Sequence, residues 1–241
     1  MSPAAEERDL WSRVDQVRSR IEAACARSAR SPDSVRVIAV SKGRSPQAIR
    51  SVYRAGVRDF GENRLEEALP KIEALDDLID VRWHMIGHVQ SRKAQDVIGP
   101  FSLIHSVDRV KLARRLDRFA GEAQMRLAAL LECNVSGEAS KEGWDLAQPE
   151  GWPESTRELV QVAALPGLEV LGLMTMAPVS EESEAVRPIF RRLAELARQM
   201  QAAGPGRWTE LSMGMTDDFE VAIEEGATMV RIGRAIFGEE G

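Results

Sequence analysis

Beyond Pro32 the chain alternates short apolar runs with longer stretches in which apolar residues return every three or four positions. The runs Val35–Ser41, Asp59–Glu62, Arg82–Ile86, Ser102–Ser106, Leu127–Val135, Leu168–Met176, Trp208–Met213 and Thr228–Ile232 predict eight strands. Several are made of Val, Ile, Leu and Met without strict alternation, the pattern of a parallel strand buried on both faces. Between them, Pro46–Ala55, Arg64–Leu75, Arg109–Ala120, Ser155–Ala164, Ala185–Ala203 and Asp217–Glu225 predict helices. In the longest, Ile189, Leu193, Leu196 and Met200 form one apolar face. Eight βα repeats predict an α/β protein, a closed TIM (β/α)8 barrel. An open doubly wound sheet is the alternative, made less attractive by the lack of GxGxxG after the first strand.

Ahead of this rhythm, from Ala4 to about Ala29, Leu10, Val14, Val17, Ile21 and Ala24 or Cys25 recur at helical spacing, which predicts an amphipathic leading helix. The organisation expected is one domain over residues 1–241, with the leading helix in 1–31 and the barrel in 32–241. A TIM barrel takes about 250 residues, so the 241 here leave room for a lean barrel and little else. Composition narrows the class: 44% hydrophobic and 29% charged residues exclude disorder, a collagen-like chain and a disulfide-stapled miniprotein. A net charge of −6 argues against nucleic-acid binding through a broadly basic surface, although a local basic pocket can still hold an anion. Cys25 and Cys133 read as reduced core residues. The start MSPAAEERDLWSRVDQ lacks a secretory pattern, and no apolar run approaches the ~20 residues needed to span a bilayer. A cytoplasmic protein with no membrane or nucleic-acid partner is expected.

In a barrel, chemistry belongs at the C-terminal ends of the strands. The first strand ends in Ser41-Lys42, where a lysine pointing into a partly apolar pocket would be prepared for Schiff-base chemistry; a solvated lysine capping a strand is the alternative. The second ends in Phe60-Gly61-Glu62-Asn63, and the third runs through His84 to His88 and Gln90. His84 and His88 make a weak metal pair, because i, i+4 ligands share a face only on a helix, and no metal is expected. His105, at the end of the fourth strand, reads as a hydrogen-bonded packing residue. After the seventh and eighth strands, Ser212, Gly214 and Gly233 suit a phosphate cradle or ordinary turns, and Arg231 lies inside the eighth. Together these residues would surround a ligand carrying an aldehyde and a phosphate, which describes pyridoxal 5′-phosphate (PLP).

The motifs VIAVSK, FGEN, WHMIGHVQSRK, IHSVDR, NVSGEASKEG, GLMTMAP, LSMGMTDDFEVAI and VRIGRAIFG, in order from about Val35 to Gly238, resemble the pyridoxal phosphate homeostasis proteins. The resemblance implies a barrel similar to the N-terminal domain of alanine racemase, with PLP bound covalently. Lys42 matches the Schiff-base lysine, Asn63 a polar residue beside the cofactor, and Ser212 and Gly233 the phosphate cradle, with Gly214 alongside. Arg231 matches an arginine facing the pyridine nitrogen. A guanidinium only donates hydrogen bonds, so it would hold that nitrogen unprotonated. Gly43, Arg64, Arg92 and Arg234 depart from the family's usual residues. Arg234 stands where a small hydroxyl residue is expected, and either reaches the phosphate or points to solvent.

The function implied is to hold PLP, buffer the free aldehyde and pass the cofactor to PLP-requiring apo-enzymes. An amino-acid racemase is the alternative. It needs a second acid/base opposite the lysine, which alanine racemases take from a tyrosine of an additional β-domain. Here the one tyrosine is Tyr53, in the predicted helix after the first strand, and the chain ends at Gly241. No catalytic residue is therefore assigned. A phosphate-binding barrel enzyme without PLP would leave the motif series unexplained. A monomer or weak homodimer is expected, with the leading helix packed on its own barrel or on a neighbour. The Trp144–Trp152 loop is read either as a lid or contact surface, or as packing against the barrel rim.

Overall fold

The computed structural model describes residues 3–138 and 141–239. Ala139 and Ser140 of the NVSGEASKEG motif, and the two residues at each end of the predicted domain, lie outside the described residues. Each predicted apolar run contains a strand: β1 (Arg36–Val40), β2 (Asp59–Glu62), β3 (Arg82–Met85), β4 (Leu103–Val107) and β5 (Leu127–Asn134). After a two-residue β6 (Trp144–Asp145) come β7 (Leu168–Met174), β8 (Glu210–Ser212) and β9 (Met229–Ile232). All pairings are parallel. The ring runs β1, β2, β3, β4, β5, β7, β8, β9 and closes where β9 meets β1, with Ile38 opposite Arg231. The result is a closed eight-stranded barrel, and β6 is an addition beside the end of β5.

Helices α1 (Pro3–Arg27), α2 (Pro46–Arg54), α3 (Leu65–Ala74), α4 (Val110–Glu122), α5 (Trp152–Ala163), α6 (Arg187–Ala203), α7 (Phe219–Glu224) and α8 (Arg234–Phe237) accompany the strands. Ser45 and Pro46 start α2 abruptly after the first strand: the Ser45 hydroxyl accepts the Ala48 N–H at 3.3 Å, and proline at the first turn lacks an N–H to satisfy. The β3–β4 connection carries a 3-10 turn, Ser91–Lys93. The predicted seventh strand shortens because Trp208 adopts φ 54° and donates its indole N–H to Pro205 O, making it a turn residue. The helix predicted from Asp217 begins at Phe219, since the Asp218 carboxylate accepts the Met215 N–H at 2.6 Å and belongs to the preceding turn.

Two apolar cores result. Ile38, Ile86, Leu103, Leu130, Met174 and Met229 fill the barrel interior, while a larger layer lies between strands and helices. The leading helix buries Leu10, Val14, Val17, Ile21, Ala24 and Cys25 against its own barrel, beside α2, α7 and α8. Arg20–Glu220 and Arg27–Glu224 ion pairs, at 2.7 and 2.6 Å, line its edge. Both cysteines are buried thiols. Trp144 and Trp152 are buried as well, their indoles donating to Glu158 and to Leu146 O, so of the two readings of this loop the packed one holds. No helix among the described residues is long and apolar enough to cross a membrane.

Candidate functional site

The order β8, β9, β1, β2 makes four neighbouring strands deliver the candidate residues to one arc of the C-terminal rim. Ser212 ends β8, with Gly214 just beyond; Arg231 lies in β9 and Gly233 just after it; Lys42 follows β1; Asn63 follows β2. Lys42 is exposed on this rim. The partly apolar pocket inferred from the first strand does not enclose it, because Ser41 is the last buried residue and Gly43, at φ 68°, turns the chain outward.

Beneath Lys42 lies a compact ionic network. The buried Lys71 ammonium donates to Ser41 O at 2.7 Å, to Glu62 Oε1 at 2.8 Å and to Glu67 Oε1 at 2.5 Å. Ser41 Oγ donates to the same Glu62 oxygen at 2.6 Å, and the Gly43 N–H donates to Glu67 at 2.5 Å. Helix α3 places Glu67 and Lys71 one turn apart, so one face of it grips both sides of the Lys42 turn. Burial pushes the Glu62 carboxyl up against the opposing pull of Lys71 and Ser41. Burial acts the same way on Glu67, but Lys71 and the Gly43 N–H outweigh it and hold that carboxyl low. Two buried oxygens at this wall, Glu62 Oε2 and Asn63 Oδ1, have no hydrogen-bond partner among the described residues. Asn63 is pinned by Gly87, where a Cβ would meet the Asn63 carbonyl oxygen at 2.2 Å. A cleft of about 340 Å³ opens beside it, lined by His88, Gln90 and Lys93 among others.

The other wall is built around Arg231. Its Nη1 donates to Ser212 Oγ at 2.6 Å and its Nη2 to Thr175 O at 2.9 Å. Burial lowers its pKa to about 10, with Glu132 and Asp218 opposing, so the guanidinium stays charged at neutral pH. Behind Ser212, a line of contacts runs through the barrel. Ser212 Oγ meets His105 Nδ1 at 2.8 Å, His105 Nε2 meets His84 Nδ1 at 2.9 Å, and His84 Nε2 meets Asp59 Oδ1 at 2.8 Å. Arg82 binds both Asp59 oxygens, at 2.8 and 2.6 Å. Burial lowers the pKa of both imidazoles. For Asp59 burial acts upward, but Arg82 and His84 prevail and bring its pKa to about 2. Glu132 is pushed up to about 7 by burial and by the negative charge of Asp108.

The two glycines differ. Gly214, at φ 92°, has no room for a side chain: a Cβ would lie 2.6 Å from Ala222 Cβ and 2.9 Å from Phe219 Cα. At Gly233 the nearest atom to such a Cβ is Val40 Cβ, at 3.6 Å. Arg234 points along the rim to Asp217 and, at 3.8 Å, to Glu239. Thr216 Oγ1 accepts the Ala235 N–H at 3.4 Å and ties the β8 loop to the start of α8.

Other candidates are not brought to this arc. His84 lies inside the barrel and His88 outside on the rim, 3.2 Å from Asp108, so they cannot share a metal. His88, Asp108 and Glu142 can approach a common point, but Arg109 already holds Asp108 at 2.5 Å. Tyr53 sits on α2 with its hydroxyl donating to Asp80 at 2.5 Å and the Arg58 guanidinium 4.0 Å above its ring. Glu67 and Lys71 look like ordinary surface charges of a helix in the sequence, while Asp59 and Glu132 carry the one available signal, a charge inside a predicted buried strand.

The N-terminal domain family of alanine racemase matches residues 13–241. The chain is 43% identical over 228 residues to a pyridoxal phosphate homeostasis protein of Aquifex aeolicus, covering 94% of this chain and 96% of that one. PipY of Synechococcus elongatus, solved with PLP bound, is similar at a TM-score of 0.81 and 38% identity, over 95% of this chain and 100% of that one. An alanine racemase of Clostridium difficile is similar at a TM-score of 0.72 over 96% of this chain and 56% of the racemase; at 13% identity that likeness concerns the barrel alone.

Proposed function

The chain belongs to the pyridoxal phosphate homeostasis protein family, and from that premise we propose that it binds PLP through Lys42 and serves to keep the cofactor in reserve within the cell. The observation that carries this reading is the arrangement of Asn63, Lys42, Gly233 and Arg231 along one arc of the rim, on strands adjacent in the ring. The residues fit the group. Lys42 supplies an amine on the rim, and Asn63 has a buried oxygen in want of a donor. Gly233 leaves its backbone open where a methyl group would otherwise stand, and Arg231 keeps N–H bonds beyond those given to Ser212 and Thr175. Bound PLP supplies an aldehyde that a primary amine can capture, and a ring able to take up negative charge.

The roles of the chain's own residues follow. Lys42 captures the aldehyde. Arg231 donates toward the ring nitrogen and, being charged at neutral pH, keeps a proton off it, which weakens the ring as an electron sink. Gly214 and Gly233 shape the loops that take the phosphate. Racemisation is disfavoured, because Tyr53 is engaged with Asp80 and Arg58 on the outside of the barrel. The protein then works as one PLP-binding unit, a monomer or weak homodimer in the cytoplasm, buffering PLP and handing it to apo-enzymes.

Incubation with PLP, borohydride reduction and peptide mass mapping test the reading. The pyridoxyl group is expected on Lys42, and Lys42→Ala should lose it. Labelling confined to other lysines would refute the assignment.

A further inference from the structure

Asp59, His84, His105, Ser212 and Arg231 come from five strands, β2, β3, β4, β8 and β9, yet form one hydrogen-bonded line from the foot of the barrel to its mouth. The heavy-atom distances alone leave open which atom carries each hydrogen. The donors and acceptors close the question. Asp59 is ionised and gripped by Arg82, so it only accepts, and His84 must carry its hydrogen on Nε2. A neutral His84 then has a bare Nδ1, which accepts from His105 Nε2–H. Neutral His105 in turn has a bare Nδ1, whose partner is the Ser212 hydroxyl. Both rings are almost fully buried, and burial favours their neutral forms. Ser212 therefore gives its single hydrogen inward, and its oxygen is left to accept from Arg231 Nη1 at 2.6 Å.

We propose that Asp59 is a positioning residue for the cofactor: through His84 and His105 it fixes the direction of the Ser212 hydroxyl, so that Ser212 serves only as an acceptor that steadies Arg231 at the mouth. The proposal rests on the reading that Arg231 faces the PLP ring. It also reassigns Ser212. A hydroxyl whose hydrogen is committed to His105 has none to offer a phosphate, so the phosphate depends on other groups, such as backbone N–H groups of the β8 and β9 loops. Reversing the line would turn a bare imidazole nitrogen toward the Asp59 carboxylate, two acceptors 2.8 Å apart.

The first measurement needs no variant. In unloaded, 15N-labelled protein, the ring nitrogens of the three histidines report their tautomers by NMR. His84 and His105 should both be neutral with hydrogen on Nε2 at neutral pH. A hydrogen on Nδ1 of either ring, or a charged ring, would overturn the proposal. The second uses Asp59→Asn, which removes the charge and lets an amide donate to His84. It should produce mixed tautomers at both rings and weaken PLP binding about tenfold, the change expected for one lost charge-assisted hydrogen bond, while the adduct stays on Lys42. Unchanged tautomers or unchanged affinity in this variant would also overturn it. Failure of the functional reading looks different: the unmutated protein would form no adduct on Lys42, which would remove the proposal's role for Arg231 whatever the tautomers.

Discussion

Two buried polar networks support opposite ends of the same arc of rim, and they use different chemistry. Under Lys42, an ammonium and two carboxylates meet three hydrogen-bonding groups of the first strand's turn, the Ser41 carbonyl and hydroxyl and the Gly43 N–H. Under Arg231, two neutral imidazoles and a hydroxyl stand in line between a carboxylate and a guanidinium. An ammonium attracts any nearby acceptor and has little directional memory, so the first network fixes where the backbone goes. An imidazole nitrogen is either a donor or an acceptor, so the second fixes which way each hydrogen points. The first suits a flexible lysine whose anchor must be firm. The second suits a rigid guanidinium that must present donors at a set angle.

The largest effect should come from breaking the ionic side. Lys71→Met leaves Glu62 buried without its counter-charge, and loss of one partner from such a pair costs about 3–5 kcal/mol. Denaturant midpoints should fall accordingly, and pyridoxyl labelling at Lys42 should drop as the turn loosens. The double variant Lys71→Met/Glu62→Gln removes both charges and should recover much of the stability. A Lys71→Met protein as stable as the parent would mean that the turn is held by its backbone alone, and the contrast between the two walls would disappear.

The next prediction concerns an acid on the neutral side. Glu132 has a folded-state pKa of about 7 against an ordinary 4.5. Its proton is held more tightly in the folded chain, so its contribution to stability is complete below about 4.5 and is lost as pH rises through about 7, up to roughly 3 kcal/mol in all. Asp59 has the opposite sign: its contribution is present above about 3.8 and lost as pH falls through about 2. The buried His84 and His105 act the other way below about 6.5, because the unfolded chain binds their protons more readily. The contrast therefore lies with the variant: between pH 5 and 8 the slope of stability against pH should be more positive in Glu132→Gln, neutral throughout, than in the parent. An unchanged slope would show that Glu132 is ionised in the folded chain and that this wall is not kept neutral.

These networks also mark where sequence reading stopped. The eight strands were legible because a strand buried on both faces needs an apolar run, and little else in a soluble chain produces one. The positions of Lys42, Asn63 and Gly233 were legible at strand ends, and that of Arg231 inside the last strand. Glu67 and Lys71 were not, because an i, i+4 Glu–Lys pair reads as a solvated helix face, and only the closure of the turn after β1 buries it. His105 and Ser212 lie 107 positions apart and meet across the barrel interior, a pairing that no local pattern encodes. Arg234 was legible as a departure from the family, but its direction depends on Asp217 across the rim.

The smallest effects sharpen the contrast at the end of the arc proposed to take the phosphate, where two glycines that look alike in sequence should behave differently. Gly214 is required by the fold: φ is 92°, and a Cβ would be forced against Ala222 and the backbone of Phe219. Gly214→Ala should cost about 1–3 kcal/mol in stability whether or not PLP is present. Gly233 is not required in that sense, since a Cβ there meets only Val40 at ordinary contact distance. Gly233→Ala should lie within about 1 kcal/mol of the parent in stability and still bind PLP more weakly, because in the proposed site its methyl group would stand where the backbone approaches the ligand. If Gly233→Ala loses stability and keeps its affinity, the residue serves packing, and the phosphate must be sought elsewhere along the β8 and β9 loops.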